Sequence, residues 1–186
     1  AEEDARHISG EKTVVGRVVW CRDLGLGEKP KRLMLDSFPM AVAAAKGDME
    51  QVREIDHKEP TAMTTKLDWG WTVAHVAAAC GQDEVLLYMH SVDKKTLLVT
   101  NECGQNPLHY AAANGQVYAV RVLLRKVPEL SLMACKDGRR PCEMAKSGQC
   151  RRLLEQLDIV LTREREAREK RQRQRSNWLP KYMTNC

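Results

Sequence analysis

Four stretches of this chain line up at one constant offset of 34 residues. They are Ser37–Ile55 (SFPMAVAAAKGDMEQVREI), Trp71–Met89 (WTVAHVAAACGQDEVLLYM), Gln105–Leu123 (QNPLHYAAANGQVYAVRVL) and Arg139–Leu157 (RRPCEMAKSGQCRRLLEQL). Gly47, Gly81 and Gly115 share a register, as do Gly70, Gly104 and Gly138. Pro39, Pro107 and Pro141 share another, with Val73 in the missing place, and Ala43, Ala77, Ala111 and Ala145 a fourth. A period of this length constrains the fold more than any local pattern does. One unit is too small to bury its own apolar face, so the units must stack.

Each unit reads as two short helices. The proline fits the first turn of a helix, where its fixed φ is helical and its missing N–H is not needed. The alanines that follow favour helix and let neighbouring helices approach closely. The glycine after them ends the helix by taking positive φ. A second helix follows, with Val85, Leu86 and Met89 in one unit, and Val117, Val120, Val122, Leu123 and Leu124 in the next, at helical spacing.

The turn into each first helix carries a more specific signature. The third unit reads Gly104-Gln105-Asn106-Pro107-Leu108-His109-Tyr110-Ala111-Ala112, and the second Gly70-Trp71-Thr72-Val73-Ala74-His75-Val76-Ala77-Ala78. These segments resemble the ankyrin repeat, close to G-x-T-P-L-H-x-A-A. The first and fourth units are more degenerate, as terminal units with one face toward water should be. The resemblance implies an all-α ankyrin-repeat solenoid of about four units over residues 34–158. The period of 34, against the family's usual 33, implies one extra residue, most simply in the loop between units. Residues 1–33 form a non-repeat N-terminal extension, with a β-branched stretch at Thr13–Trp20 and a loop marked by Gly25, Gly27 and Pro30. Residues 159–186 form a basic helical extension with an aromatic tail, the helix running through Thr162–Arg175 and stopped by Asn177 and Pro180.

The resemblance also implies a function, protein–protein binding through turn tips and a concave face. The family's variable positions fall here on Asp68, Trp69, Trp71, Ala79 and Cys80, on Glu102, Cys103, Gln105, Ala113 and Asn114, and on Lys136, Asp137 and Arg139. Trp69 and Trp71 flank Gly70 at a turn tip, where exposed tryptophan anchors partners well. The alternative is that one of them packs onto residues 1–33 or the preceding unit. His75 and His109 recur at one register, and in the family this histidine ties neighbouring turns together. That makes them structural, and no catalytic residue is assigned.

Composition bounds the rest. Hydrophobic residues make up 43% and charged residues 30%, a globular balance. No run approaches the length of a membrane span. The opening AEEDARHISG is polar and acidic, unlike a secretory signal. Ala1 in first place fits trimming of a methionine, removal of a targeting segment or a chosen boundary alike. Seven scattered cysteines, none in a CxxC pair, predict buried thiols in a reducing intracellular compartment, the cytoplasm first and a mitochondrion or plastid second. Cys135, Cys142 and Cys150 lack a nearby histidine, so no metal is expected. GLGEKPK at Gly25–Lys31 lacks the spacing of a phosphate loop, and no cofactor is expected.

Charge is concentrated at one end. Residues 163–186 hold eight basic and three acidic side chains, which accounts for the whole net charge of +5 and leaves residues 1–162 neutral. Arg163, Arg165, Arg168, Arg171, Arg173 and Arg175, with Trp178 and Tyr182, are the candidate tail contacts. Interleaved Glu164, Glu166 and Glu169, and the lack of an aromatic inside the run, favour a protein partner over nucleic acid, for which residues 163–175 are the candidate. The two functional readings are an adaptor that binds through tips and concave face, and an accessory subunit of a large or ribonucleoprotein complex held by its tails.

Overall fold

A computed structural model describes residues 38–178, with side chains through Gln174. The Thr13–Trp20 stretch, the Gly25–Lys31 segment, Cys21, Cys186, Tyr182 and the side chains of Arg175 and Trp178 lie outside the described residues. Among the described residues eight α-helices follow in order: α1 (Pro39–Lys46), α2 (Met49–Lys58), α3 (Val73–Cys80), α4 (Asp83–Val92), α5 (Pro107–Ala113), α6 (Val117–Lys126), α7 (Pro141–Met144) and α8 (Gly148–Trp178). No strand occurs among the described residues. Short 3-10 turns at Pro60–Met63, Lys94–Leu97 and Pro128–Leu132 follow the second helices.

The local chemistry repeats with the sequence. Pro39, Pro107 and Pro141 each open a first helix. Gly47, Gly81 and Gly115 close the first three at φ 76, 75 and 69°. Their N–H groups, and those of the residues after them, return to alanine carbonyls: Gly81 to Ala78 at 3.3 Å and Gln82 to Ala77 at 2.9 Å, with the same pattern at Gly47–Asp48 and Gly115–Gln116. This satisfies carbonyls that a helix end leaves orphaned.

Packing follows chain order. First helices form one row, α1 on α3, α3 on α5 and α5 on α7, and second helices form another, α2 on α4, α4 on α6 and α6 on α8. Val52, Leu86, Val120 and Leu154 are 34 residues apart and all fully buried, a ladder through the main core between the rows. Ala43, Ala77 and Ala111 are fully buried opposite them. A second core lies between first helices and turn tips, built from Ala41, Ala45, Leu67, Trp71, Val76, Ala79, Tyr110 and Ala113.

The fourth unit departs from the pattern. Lys146, Ser147 and Gly148 replace the small-residue run, and α7 is one turn long. The Lys146 N–H bonds Ala112 O of the preceding unit at 3.1 Å instead of its own helix. Its second helix does not stop where the others do. It continues as the 31-residue α8, whose residues beyond Leu161 are exposed through Gln174. The repeat and the charged extension are thus one helix.

Candidate functional site

The turn tips share one closing hydrogen bond. In each, the N–H of the first residue bonds the carbonyl of the fifth: Leu67 to Trp71 at 2.7 Å, Asn101 to Gln105 at 2.9 Å and Cys135 to Arg139 at 2.9 Å. Adjacent tips are laced together, because Glu102 N–H donates to Trp69 O at 3.0 Å and Lys136 N–H to Cys103 O at 2.9 Å. Glycine permits this close approach, Gly70 beside the Glu102 nitrogen and Gly104 beside the Lys136 nitrogen. At Gly104 φ is +72°, and a Cβ there would stand 3.1 Å from the Lys136 nitrogen. At the last tip Gly138 has the same φ range but open space beside it.

Histidines hold the tips to the first helices. His75 Nδ1 accepts from Thr72 N–H at 3.1 Å, and its Nε2 lies 3.0 Å from Gln105 O of the next tip. A carbonyl only accepts, so Nε2 carries the proton and the ring is neutral. Burial pushes the His75 pKa down to about 4. His109 repeats the motif one unit on: Nδ1 accepts from Asn106 N–H at 3.1 Å, and Nε2 donates to Arg139 O at 3.2 Å. Its pKa is lowered too, again chiefly by burial. The equal register therefore reflects one structural device used twice, as the repeat resemblance implies.

The candidate binding residues divide. Asp68, Glu102 and Lys136 occupy one register and are exposed, as are Asp137 and Asn114. Asn114 donates to Ala79 O at 3.3 Å, and Arg139 pairs with Asp137 at 3.0 Å. Trp69 is half-buried, its ring packed on the second core and its backbone at φ 56°. Four expectations need correction. Ala79 and Ala113 are buried in the second core. Trp71 is only 1% exposed, and Gln105 is fully buried. Trp71 turns inward, its ring 4.2 Å from that of Tyr110 and tilted by 59°. It shares the second core with Ala41 and Ala45 of the preceding unit and with Tyr110 of the following one, whereas residues 1–33 lie outside the described residues. Gln105 accepts the Tyr110 hydroxyl at 2.6 Å, and that oxygen accepts from Asn101 at 2.7 Å. Neither side chain offers surface to a partner. Sequence reasoning missed Asn101 and Tyr110, the residues that draw them in. Tyr110 shares a register with Val42, Val76 and Met144, and being the one polar-tipped member was the available signal.

The tail candidates Arg163, Arg165, Arg168, Arg171 and Arg173 are exposed on α8. Arg165 pairs within the helix with Glu169 at 3.2 Å, and Arg168 with Glu164 at 3.9 Å.

The five described cysteines form no disulfide. Cys135 and Cys150 are buried and the rest half-buried. Burial raises the pKa of Cys142 and Cys150, which disfavours the nucleophilic thiolate. Among the described residues no three His, Cys, Asp or Glu side chains gather as metal ligands, and no helix is long and apolar enough to cross a membrane.

No curated protein matches the chain. A family model described as ankyrin repeats matches residues 40–133 in three copies, so the fourth unit at 139–157 lies beyond the match. Such repeats are generally protein–protein interaction modules and typically non-catalytic. With the matched segment spanning just over half its length, and with the laced tips and paired helices that the segment folds into, the chain belongs to the ankyrin-repeat family.

Proposed function

We propose that this protein is a non-catalytic binding module whose row of turn tips and first-helix face recognises one protein partner. The observation that carries the reading is the lacing of the tips, which fixes Asp68, Glu102 and Lys136 in register on a rigid ladder. Successive layers stand about 10 Å apart. A rigid row of side chains loses little entropy on docking. Its charge order, two acids and then a lysine, fits a partner that presents two cations followed by an anion. Asp137, Arg139 and Asn114 extend the surface at the far end, and the half-buried Trp69 adds apolar contact at the near end.

The competing reading is an accessory subunit gripped through Arg163–Cys186. The exposure of α8 beyond Leu161 supports it, although the Arg–Glu pairs leave fewer cations for phosphates. One experiment separates the two. Native complexes are captured by cross-linking and identified by mass spectrometry, for the wild type, for Asp68→Lys/Glu102→Lys and for a chain lacking 163–186. Loss of the main partner in the charge-reversed variant, with retention by the shortened chain, supports tip binding. The reverse outcome assigns the protein to tail-held assembly.

A further inference from the structure

On the side away from the tips, α4, α6 and α8 enclose an open groove of about 820 Å³. Its floor is apolar, with Leu87 from α4, Val122 and Leu124 from α6, and Leu157 and Val160 from α8. Leu87 is 38% exposed and Val160 49%, although neither lies on a face that the stack uses. Arg121, Arg125 and Lys126 line the groove, and no acidic side chain does. Among the described residues none of these three cations joins an ion pair. The surface thus combines an apolar trough with three cations that no described carboxylate pairs. No aromatic ring lines it, so it lacks what single-stranded nucleic acid would stack on.

We infer that this groove is a second docking site, separate from the tips, for an amphipathic helix of a protein partner that carries acidic residues beside its apolar face. The walls are themselves helices, and helix-in-groove recognition seats apolar anchors at i, i+3 or i+4, and i+7 in such a trough. Carboxylates flanking those anchors would meet Arg121, Arg125 and Lys126, which sets both the encounter rate and the orientation.

The probe is a synthetic helical peptide with leucines at those spacings and glutamates beside them. Its control keeps the leucines and replaces every glutamate with lysine. Fluorescence anisotropy on the full chain should show the acidic peptide bound at least about tenfold more tightly. Arg121→Glu/Arg125→Glu should reverse that preference. Val160→Asp, at an exposed position that leaves the circular dichroism and melting curve unchanged, should abolish binding. Asp68→Lys/Glu102→Lys should leave it intact, which separates this site from the tip surface. Four results would overturn the inference: equal binding of both peptides, binding of neither, indifference to Val160→Asp, or a wild-type dimer by light scattering that Val160→Asp converts to monomer. The last would make a second copy of this chain the occupant.

Discussion

At the scale of single residues, the histidines show how a repeat stores stability in protonation state. Both nitrogens of His75 are used, and only the neutral ring satisfies Thr72 N–H and Gln105 O together. Its folded pKa of about 4 lies below the ordinary 6.5. The unfolded chain therefore takes up a proton first as pH falls. The contribution of His75 is intact above pH 6.5 and is lost as pH drops through about 4, with a full span on the order of 3 kcal/mol. His109 acts in the same direction. Urea midpoints measured from pH 7 to 4.5 should fall more steeply for the wild type than for His75→Gln. That variant should be less stable at pH 7 by about 1–3 kcal/mol, because it strands a buried backbone partner. Parallel profiles would mean that the ring is not held neutral. Carboxylate titration is common to both proteins and cancels in the comparison.

At the scale of elements, the first tip sets two tryptophans to opposite tasks. Trp71 fills the second core against Tyr110, whereas Trp69 sits half-buried at the tip. Trp71→Ala should cost about 3–5 kcal/mol, the usual range for emptying a large aromatic site. Trp69→Ala should cost clearly less in chemical denaturation while weakening partner capture. Similar losses for both would place both rings in the core. The sequence made the pair visible but not its division of labour. Side chains on either side of Gly70 differ by a turn of backbone, and which one points inward depends on Tyr110, nearly forty positions along and one layer away. The same limit explains Gln105, a polar residue at a register that the family leaves variable, which a buried hydroxyl holds inside. The helices were easier to read, because proline, alanine and glycine act on their own backbone and need no distant partner. Leu154 was missed, although its shared register with Val52, Leu86 and Val120 carried the signal. The length of α7 was harder. The Lys146-Ser147-Gly148 sequence stops the helix early, and the freed Lys146 N–H is satisfied only because Ala112 O of the neighbouring unit stands 3.1 Å away. The groove beside α6 escaped sequence reading altogether, because Leu87, Val122 and Val160 come from α4, α6 and the extension of α8 and meet only after stacking.

At the scale of the whole molecule, each unit touches only its neighbours, so stability should be graded along the stack. The inner units have an interface on each side. The last unit has one, and its first helix is a single turn. Leu86 and Leu154 are equivalent, fully buried rungs of one ladder, so emptying either removes similar apolar contact. Their consequences should differ. Leu86→Ala weakens a unit on which both neighbours depend, and amide exchange should quicken together across α1 to α6. Leu154→Ala should loosen α7 and the packed part of α8, while α3 and α5 keep most of their protection. The loss at the site itself should be about 2–5 kcal/mol in both proteins. The Arg140–Asp158 contact at 3.5 Å is partly exposed and too weak to hold α8 in place once Leu154 is gone. If Leu154→Ala instead lowers protection evenly from α1 to α8, the four units unfold as one block, and the tips could not stay ordered while one end frays. Graded exchange would mean that Asp68 and Glu102 keep their rigid register even when the far end opens, as a binding face built from the first units requires.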